Sequence, residues 1–324
     1  MAVVGTQTND SRPPLTHKTR AIIAKISLAG AIAYDHICTT QTSLKNDGAS
    51  SRLNLKLDSQ TVTHGGCGAN IAFNLSQMGH EVDLYSSTGK LDDAKSLKAL
   101  ADLGINTHGI LRVAGADTAQ ATIITDPAGI QFTAFYPGPH ITLSDWRTWL
   151  TATFTMAGDI FVQAPQPANL MLAGVEHAVL LGAEVIWCPG QYADQLLAAE
   201  VATILPYCSL LVGNQHEISF LSKIADFSHV STIQSAGKGP VTISTPRQHT
   251  TVEIPGTNAA VDPTGCGDAL VAGIAHYLAN YRYRSPNDAQ LEQAVRCGIE
   301  FAQYCIKATG SQAHSLAAIL KSSD

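Results

Sequence analysis

The chain has 324 residues, 45% of them hydrophobic and 14% charged, which is enough to bury a large core and too apolar for a disordered or fibrous protein. Its 20 Lys and Arg against 26 Asp and Glu leave a formal net charge of −6 with no basic run. That excludes a basic surface built for nucleic acid or an anionic membrane and favours small neutral substrates. The seven cysteines (38, 67, 188, 208, 266, 297 and 305) are scattered and never spaced as CxxC, so a reducing compartment, taken as the cytoplasm, is expected rather than disulfides or structural zinc. Residues 1–20 read as a loose polar tail containing Pro13 and Pro14, with no apolar stretch long enough for a signal peptide.

From residue 21 to 324 one domain is expected. Strand-like runs fall at 21–29, 82–86, 159–163, 185–188, 209–212 and 241–244, with a further run at 251–254. Helical patterns fall between them at 69–78, 92–103, 168–181, 193–204 and 215–224, and two longer ones follow at 268–280 and 287–308. This alternation predicts an α/β protein, a three-layer doubly wound sheet that is mostly parallel and covered on both faces. Two segments leave the rhythm. Residues 36–63 and 112–136 look like antiparallel additions, the second folded about the turn Asp126-Pro127-Ala128-Gly129. Together they predict a small β lid that would keep water from a reaction on the larger sheet, and whose edge strands would suit pairing with a second copy of the chain.

The most informative stretch is Asp262-Pro263-Thr264-Gly265-Cys266-Gly267-Asp268, which runs directly into an apolar helix. Glycines at 265 and 267 let consecutive amides converge on an anion, and the helix start adds unpaired amides and about half a positive charge. Asp268 is out of place among groups arranged for an anion unless it accepts a proton from an attacking hydroxyl, the task of a general base in phosphoryl transfer. Taken alone, GxGD also reads as a tight turn followed by a helix cap. Two further stretches add to it. In His64-Gly65-Gly66-Cys67-Gly68-Ala69-Asn70 a glycine loop opens a helix, and Asn70 offers both a donor and an acceptor to a polyol. Asp35, placed just after the first strand, can accept hydrogen bonds from two vicinal hydroxyls.

In order and spacing, Asp35, Gly65–Asn70, Asn214-Gln-His-Glu217 and Asp262–Asp268 resemble the ribokinase-like, or PfkB, carbohydrate kinases over residues 21–316. Thr118–Asp126, Thr133–Gly138 and Gly310-Ser-Gln-Ala-His314 look like the adenosine kinase-like branch. The resemblance implies an ATP- and Mg²⁺-dependent kinase that phosphorylates the 5′-hydroxyl of a ribonucleoside, adenosine first. It implies an anion hole at Gly265, Cys266 and Gly267, with Asp268 as base. Sugar hydroxyls would be bound by Asp35, Gly65, Gly66 and Asn70, with Phe135 stacking on the base. Asn214, Glu217, Asp262 and Thr264 would face the donor, Asn214 and Glu217 serving the metal, with a monovalent cation such as K⁺ near Asp262. The family's glycine-bearing TxGxxG loop, which contacts the donor, is expected after the strand at 241–244. There the chain reads Thr245-Pro-Arg-Gln-His249 without glycine, and Arg247 is a candidate substitute. A free-sugar kinase and a catalytically silent nucleoside sensor are the competing readings.

Overall fold

The structure is a computed structural model describing residues 24–45, 54–256, 260–281 and 285–322, so the expected tail at 1–20 lies outside the described residues. The strands in chain order begin with β1 (Lys25–Ala29), β2 (Ala33–Thr39), β3 (Ser59–Gly65), β4 (Glu81–Gly89), β5 (Ile110–Val113), β6 (Ala119–Thr125) and β7 (Gln131–Tyr136). They continue with β8 (Ile160–Gln163), β9 (Glu184–Trp187), β10 (Leu210–Asn214), β11 (Ser231–Ala236), β12 (Gly239–Ser244) and β13 (His249–Val252). The helices are α1 (Cys67–Gln77), α2 (Ala94–Asp102), α3 (Leu143–Thr153), α4 (Ala168–Leu180), α5 (Ala198–Ile204), α6 (Gln215–Leu221), α7 (Cys266–Asn280), α8 (Asp288–Cys305) and α9 (Ala317–Ser322).

Among the described residues nine strands form the main sheet, in the order β13-β12-β11-β10-β9-β8-β1-β4-β5. It is parallel from β5 through to β11 and antiparallel only at the β11–β12 and β12–β13 pairs. Side chains alternate across a strand, so each strand must supply two cores. Ile26, Leu28, Ile160, Val162, Ile186, Leu210 and Val212 face one cluster with residues of α1, α7 and α8. Their neighbours Ala29, Phe161, Val185, Trp187 and Leu211 face the other with residues of α3, α4 and α5. Trp146, Trp187, Phe154 and Phe161 are fully buried there, which makes the second face the more aromatic. Helix α7 is apolar nearly all round, and residues 269–275 are all buried. It packs on α8 and α1, so the position of its first turn is fixed on several sides.

A second sheet has the order β3-β2-β6-β7. It is the expected lid, with Asp126 binding the amides of Ala128 and Ile130 in the hairpin turn and Gly129 at φ +80°. Several expectations need correction. The lid begins at Ala33, not 36, so Asp35 is the third residue of a lid strand rather than the end of a body strand. Arg112 and Val113 belong to β5 in the main sheet. The helix expected at 193–204 is divided into a 3-10 turn at Gly190–Gln195 and α5. Helix α3 and strand β11 were not anticipated at all.

Candidate active site

The first turn of α7 is built by its own sequence. Gly265 caps the helix at φ +80°, a left-handed backbone that glycine adopts freely, and a Cβ there would run into Ser311. Asp262 stabilises the approach: one carboxylate oxygen accepts the Thr264 amide at 2.9 Å and the other accepts the Gly310 amide at 2.9 Å. The turn preceding α7 and the loop following α8 are thereby tied together. The Cys266 amide donates to the Pro263 carbonyl at 3.1 Å. It is therefore not free for an anion as expected, which leaves the amides of Gly265, Gly267 and Asp268. Those of Gly267 and Asp268 belong to the first helical turn and have no intrahelical acceptor. Gly267 is exposed with open space where a side chain would stand.

Asp268 is half-buried at the end of this turn and lines a cavity of about 470 Å³ together with Cys67, Cys188, Asn214, Glu217 and Gly267. Burial holds its carboxyl at about 7; hydrogen bonds from Asn70 and Cys67 pull the other way, and the charges of Asp35 and Glu217 add to the rise. Asn70 Nδ2 donates to Asp268 Oδ2 at 2.8 Å. Asn70 Oδ1 accepts from Ser311 Oγ at 2.8 Å and from Gln312 Nε2 at 2.9 Å. Both lone pairs of that oxygen are used, so Asn70 can offer a ligand one remaining N–H and no acceptor, a correction to the dual role expected of it.

Asp35 is buried on β2, opposite Thr63 of β3 and Ala121 of β6. Gly65 is what allows it there, because a Cβ on Gly65 would overlap the Asp35 carboxyl. Burial first, and then the charge of Asp262, raises the Asp35 carboxyl to about 6. Gly66 follows at φ +89° as the cap of α1, the helix that carries Asn70. Phe135 pairs with Ala121, which pairs with Asp35, so all three share one face of the lid. Phe135 is 43% exposed, two strands or roughly 10 Å from Asp35, and lies outside the main cavity.

Asn214 and Glu217 begin α6 as a reciprocal capping box. Asn214 Oδ1 accepts the Glu217 amide at 2.9 Å, Glu217 Oε2 accepts the Asn214 amide at 2.8 Å, and Asn214 Nδ2 donates to Oε1 at 2.7 Å. The NxxE spacing thus has a local folding cause. Glu217 nevertheless shares the cavity with Asp268, and burial raises its carboxyl pKa.

The turn at 245–249 is not part of this cavity. Thr245 Oγ1 donates to Asp288 Oδ1 at 3.0 Å, and the exposed Arg247 lies 4.0 Å from the same carboxylate, so both serve the start of α8. Glycines occur instead one hairpin earlier, Gly237 in the turn between β11 and β12 and Gly239 as the first residue of β12. Ser235, Ala236 and Gly237 line an open cleft of about 490 Å³ with Asn214 and His216, and Ser235, Asn214 and His216 also line the cavity of Asp268. A separate groove of about 250 Å³ between α3 and α4 contains none of these residues. Among the described residues no cluster of three or more His, Cys, Asp or Glu could hold a metal, and no helix is long and apolar enough to cross a membrane.

A profile described as "pfkB family carbohydrate kinase" matches residues 24–318. A nucleoside kinase of Methanothermobacter thermautotrophicus is 27% identical over 261 residues, spanning 77% of this chain and 80% of its own length. Among solved structures, the Burkholderia thailandensis nucleoside kinase in complex with inosine superposes with a TM-score of 0.76 at 22% identity, covering 93% of this chain and 97% of its own. The Methanocaldococcus jannaschii nucleoside kinase gives 0.76 at 21% identity, with 93% and 98% covered. Ribokinase of Thermotoga maritima gives 0.72 at 22% identity, with 92% and 99% covered. At these identities the solved structures establish the shared fold.

Proposed function

The chain belongs to the pfkB family of carbohydrate kinases, phosphotransferases with an alcohol acceptor, and on that premise we propose that it uses ATP to phosphorylate the 5′-hydroxyl of a ribonucleoside, adenosine being the leading acceptor. The observation that carries this reading is Asp268. It is a carboxylate at the N-terminus of a buried helix, held at about 7 and facing a cavity beside unpaired amides. A base with that pKa takes a hydroxyl proton near neutrality, while the amides of Gly265 and Gly267 stabilise the charge spread over the transferring phosphoryl oxygens. Asp35 would accept from two ribose hydroxyls, and the spare N–H of Asn70 would donate to the acceptor sugar. A nucleoside is favoured over a free sugar by Phe135, an exposed aromatic side chain on the same face of the lid as Asp35. The likeness to nucleoside kinases points the same way.

The cleft at Ser235–Gly237 suits the donor, whose terminal phosphate would then point toward Asp268. Mg²⁺ asks for one or two carboxylates plus phosphate oxygens rather than a protein cage, and Glu217, half-buried with its charge disfavoured by burial, fits that requirement. When bound there it would neutralise charge on the donor phosphates. K⁺ is proposed beside Asp262.

Gly237 turns at φ +61°, a backbone that costs a branched residue about 1–2 kcal/mol. Gly237→Val should therefore raise KM for ATP roughly tenfold and leave KM for the acceptor unchanged. Equal change in both constants would remove this hairpin from the donor site. The reading as a whole is tested by ADP release with adenosine, inosine, ribose and fructose. Nucleosides should give a kcat/KM at least about tenfold above either sugar, corresponding to about 1.4 kcal/mol from contacts with the base. Turnover of sugars alone would assign a free-sugar kinase, and nucleoside binding without ADP release would assign a sensor.

A further inference from the structure

We propose that Ser311 and Gln312 are positioning residues that fix the orientation of the Asn70 amide, so that the base is always met by an N–H and never by a carbonyl. The inference rests on the proposed role of Asp268 and extends it to the loop after α8. An asparagine amide has two faces of nearly equal shape and opposite polarity. If Asn70 were reversed, its oxygen would face Asp268, and only a protonated carboxyl could bond to it. A protonated Asp268 cannot accept the proton of the attacking hydroxyl. The orientation of one buried amide therefore decides whether the base is available.

Nothing next to Asp268 sets that orientation strongly. The ionisable groups acting on it are Asp35 from the lid, Cys67 from α1, Cys188 after β9, Glu217 from α6 and, around the turn, Cys266 and Cys305, while Asp194 and His216 line the same cavity and the charge of His216 acts on Glu217. None of the groups acting on Asp268 is cationic, and the carboxylates among them favour the protonated acid. Orientation must come from the far side of Asn70. There Ser311 Oγ, fully buried, and Gln312 Nε2 both bond to Oδ1, at 2.8 and 2.9 Å. Asn70 is itself 4% exposed, so neither bond can be replaced by bulk water. Asp262 holds this loop through the Gly310 amide, and on the other side His314 Nε2 lies 2.8 Å from Asn74 Oδ1, one turn along α1 from Asn70. The loop after α8 is thus anchored at both ends of the segment that grips the amide.

Three variants test this. Gln312→Glu replaces a donor by acceptors and should reverse the amide. Ser311→Ala with Gln312→Leu removes both donors. Ser311→Thr keeps the hydroxyl. In kcat against pH, the first two should move the acid limb up by about one pH unit, losing about tenfold at low pH and recovering above the limb. Ser311→Thr should follow the wild type, and the charge-neutral Ser311→Ala with Gln312→Leu should add no shift in an Asn70→Ala background. Loss of kcat at every pH with an unmoved limb, or a shift that persists in Asn70→Ala, would overturn the proposal. A ¹³C titration of the Asp268 carboxyl, assigned by its absence in Asp268→Asn, reads the same shift without turnover. If the wild type phosphorylates no nucleoside or sugar, the functional reading fails while the titration still decides the role of the loop.

Discussion

Asp268→Asn should lower kcat by about 10²- to 10⁴-fold, the range associated with loss of a general base, while acceptor binding measured by calorimetry stays within a few-fold of wild type. The substitution keeps the size of the side chain and leaves an oxygen to accept from Asn70, so the first turn of α7 keeps its shape. Near-normal turnover would exclude Asp268 as the base. The same variant has two further signatures. Wild-type kcat should rise with pH through about 7 as the carboxyl ionises, and this limb should vanish in the variant. Stability should change in the opposite sense to activity. Because burial raises the folded-state value above the ordinary carboxylate value, the folded protein holds more protons than the unfolded chain between about 4 and 7. Wild-type stability therefore falls as pH rises across that window. At pH 8 Asp268→Asn should melt higher than wild type, by about 2–4 °C for each kcal/mol gained. In the proposed role, a carboxylate kept partly out of water would serve as a base at neutral pH at the expense of the stability of the resting fold.

Asp35→Ala should reduce kcat/KM by roughly 10²- to 10⁴-fold, most of it in KM. Two hydroxyls donating to one charged acceptor would contribute about 1.5–3 kcal/mol each. The loss should be equal for ribose and adenosine if Asp35 reads the sugar, and Phe135→Ala should affect adenosine alone. The fold should not suffer, since the buried Asp35 carboxyl has no hydrogen bond among the described residues and its removal relieves a desolvated group. A kcat/KM within threefold of wild type would take acceptor recognition away from β2. Gly65→Ala offers an independent check, because the added methyl would displace the Asp35 carboxyl without removing it.

The parallel strands and the two long helices were legible because short apolar runs and an all-round apolar helix have few other places to go. The turn at 262–268 was legible because glycine and a misplaced carboxylate carry their own chemistry. What escaped was signalled weakly. Helix α3 is rich in threonine and tryptophan, which suit strands as well, although Thr142 with Asp145 was a usable cap signal: the Thr142 side chain accepts the Asp145 amide. Strand β11 has a single strongly apolar residue, Ile233, on its buried positions, so Ser231–Ala236 read as loop and the glycine hairpin behind it went unnoticed. Expecting that hairpin after 241–244 followed from missing the strand before it. Asp35 was found and misplaced, because the chain passes from body to lid within three residues of the end of β1. The roles of Ser311 and Gln312 depend on contacts more than 240 residues apart in the chain, which no local pattern encodes.

Because Asp35 lies on β2 and β3 runs without a break through Gly65 and Gly66 into α1, the small sheet is continuous with both ends of the proposed acceptor site. A protein engineer seeking a smaller enzyme could not trim it as a cover. Excising it would delete Asp35, the proposed acceptor carboxylate, and cut the tether that holds Asn70 against Asp268. Grafting a different small sheet, by contrast, could exchange the surface around Phe135 while keeping that tether, which makes the lid the natural place to retune acceptor preference and α7 the part to leave alone.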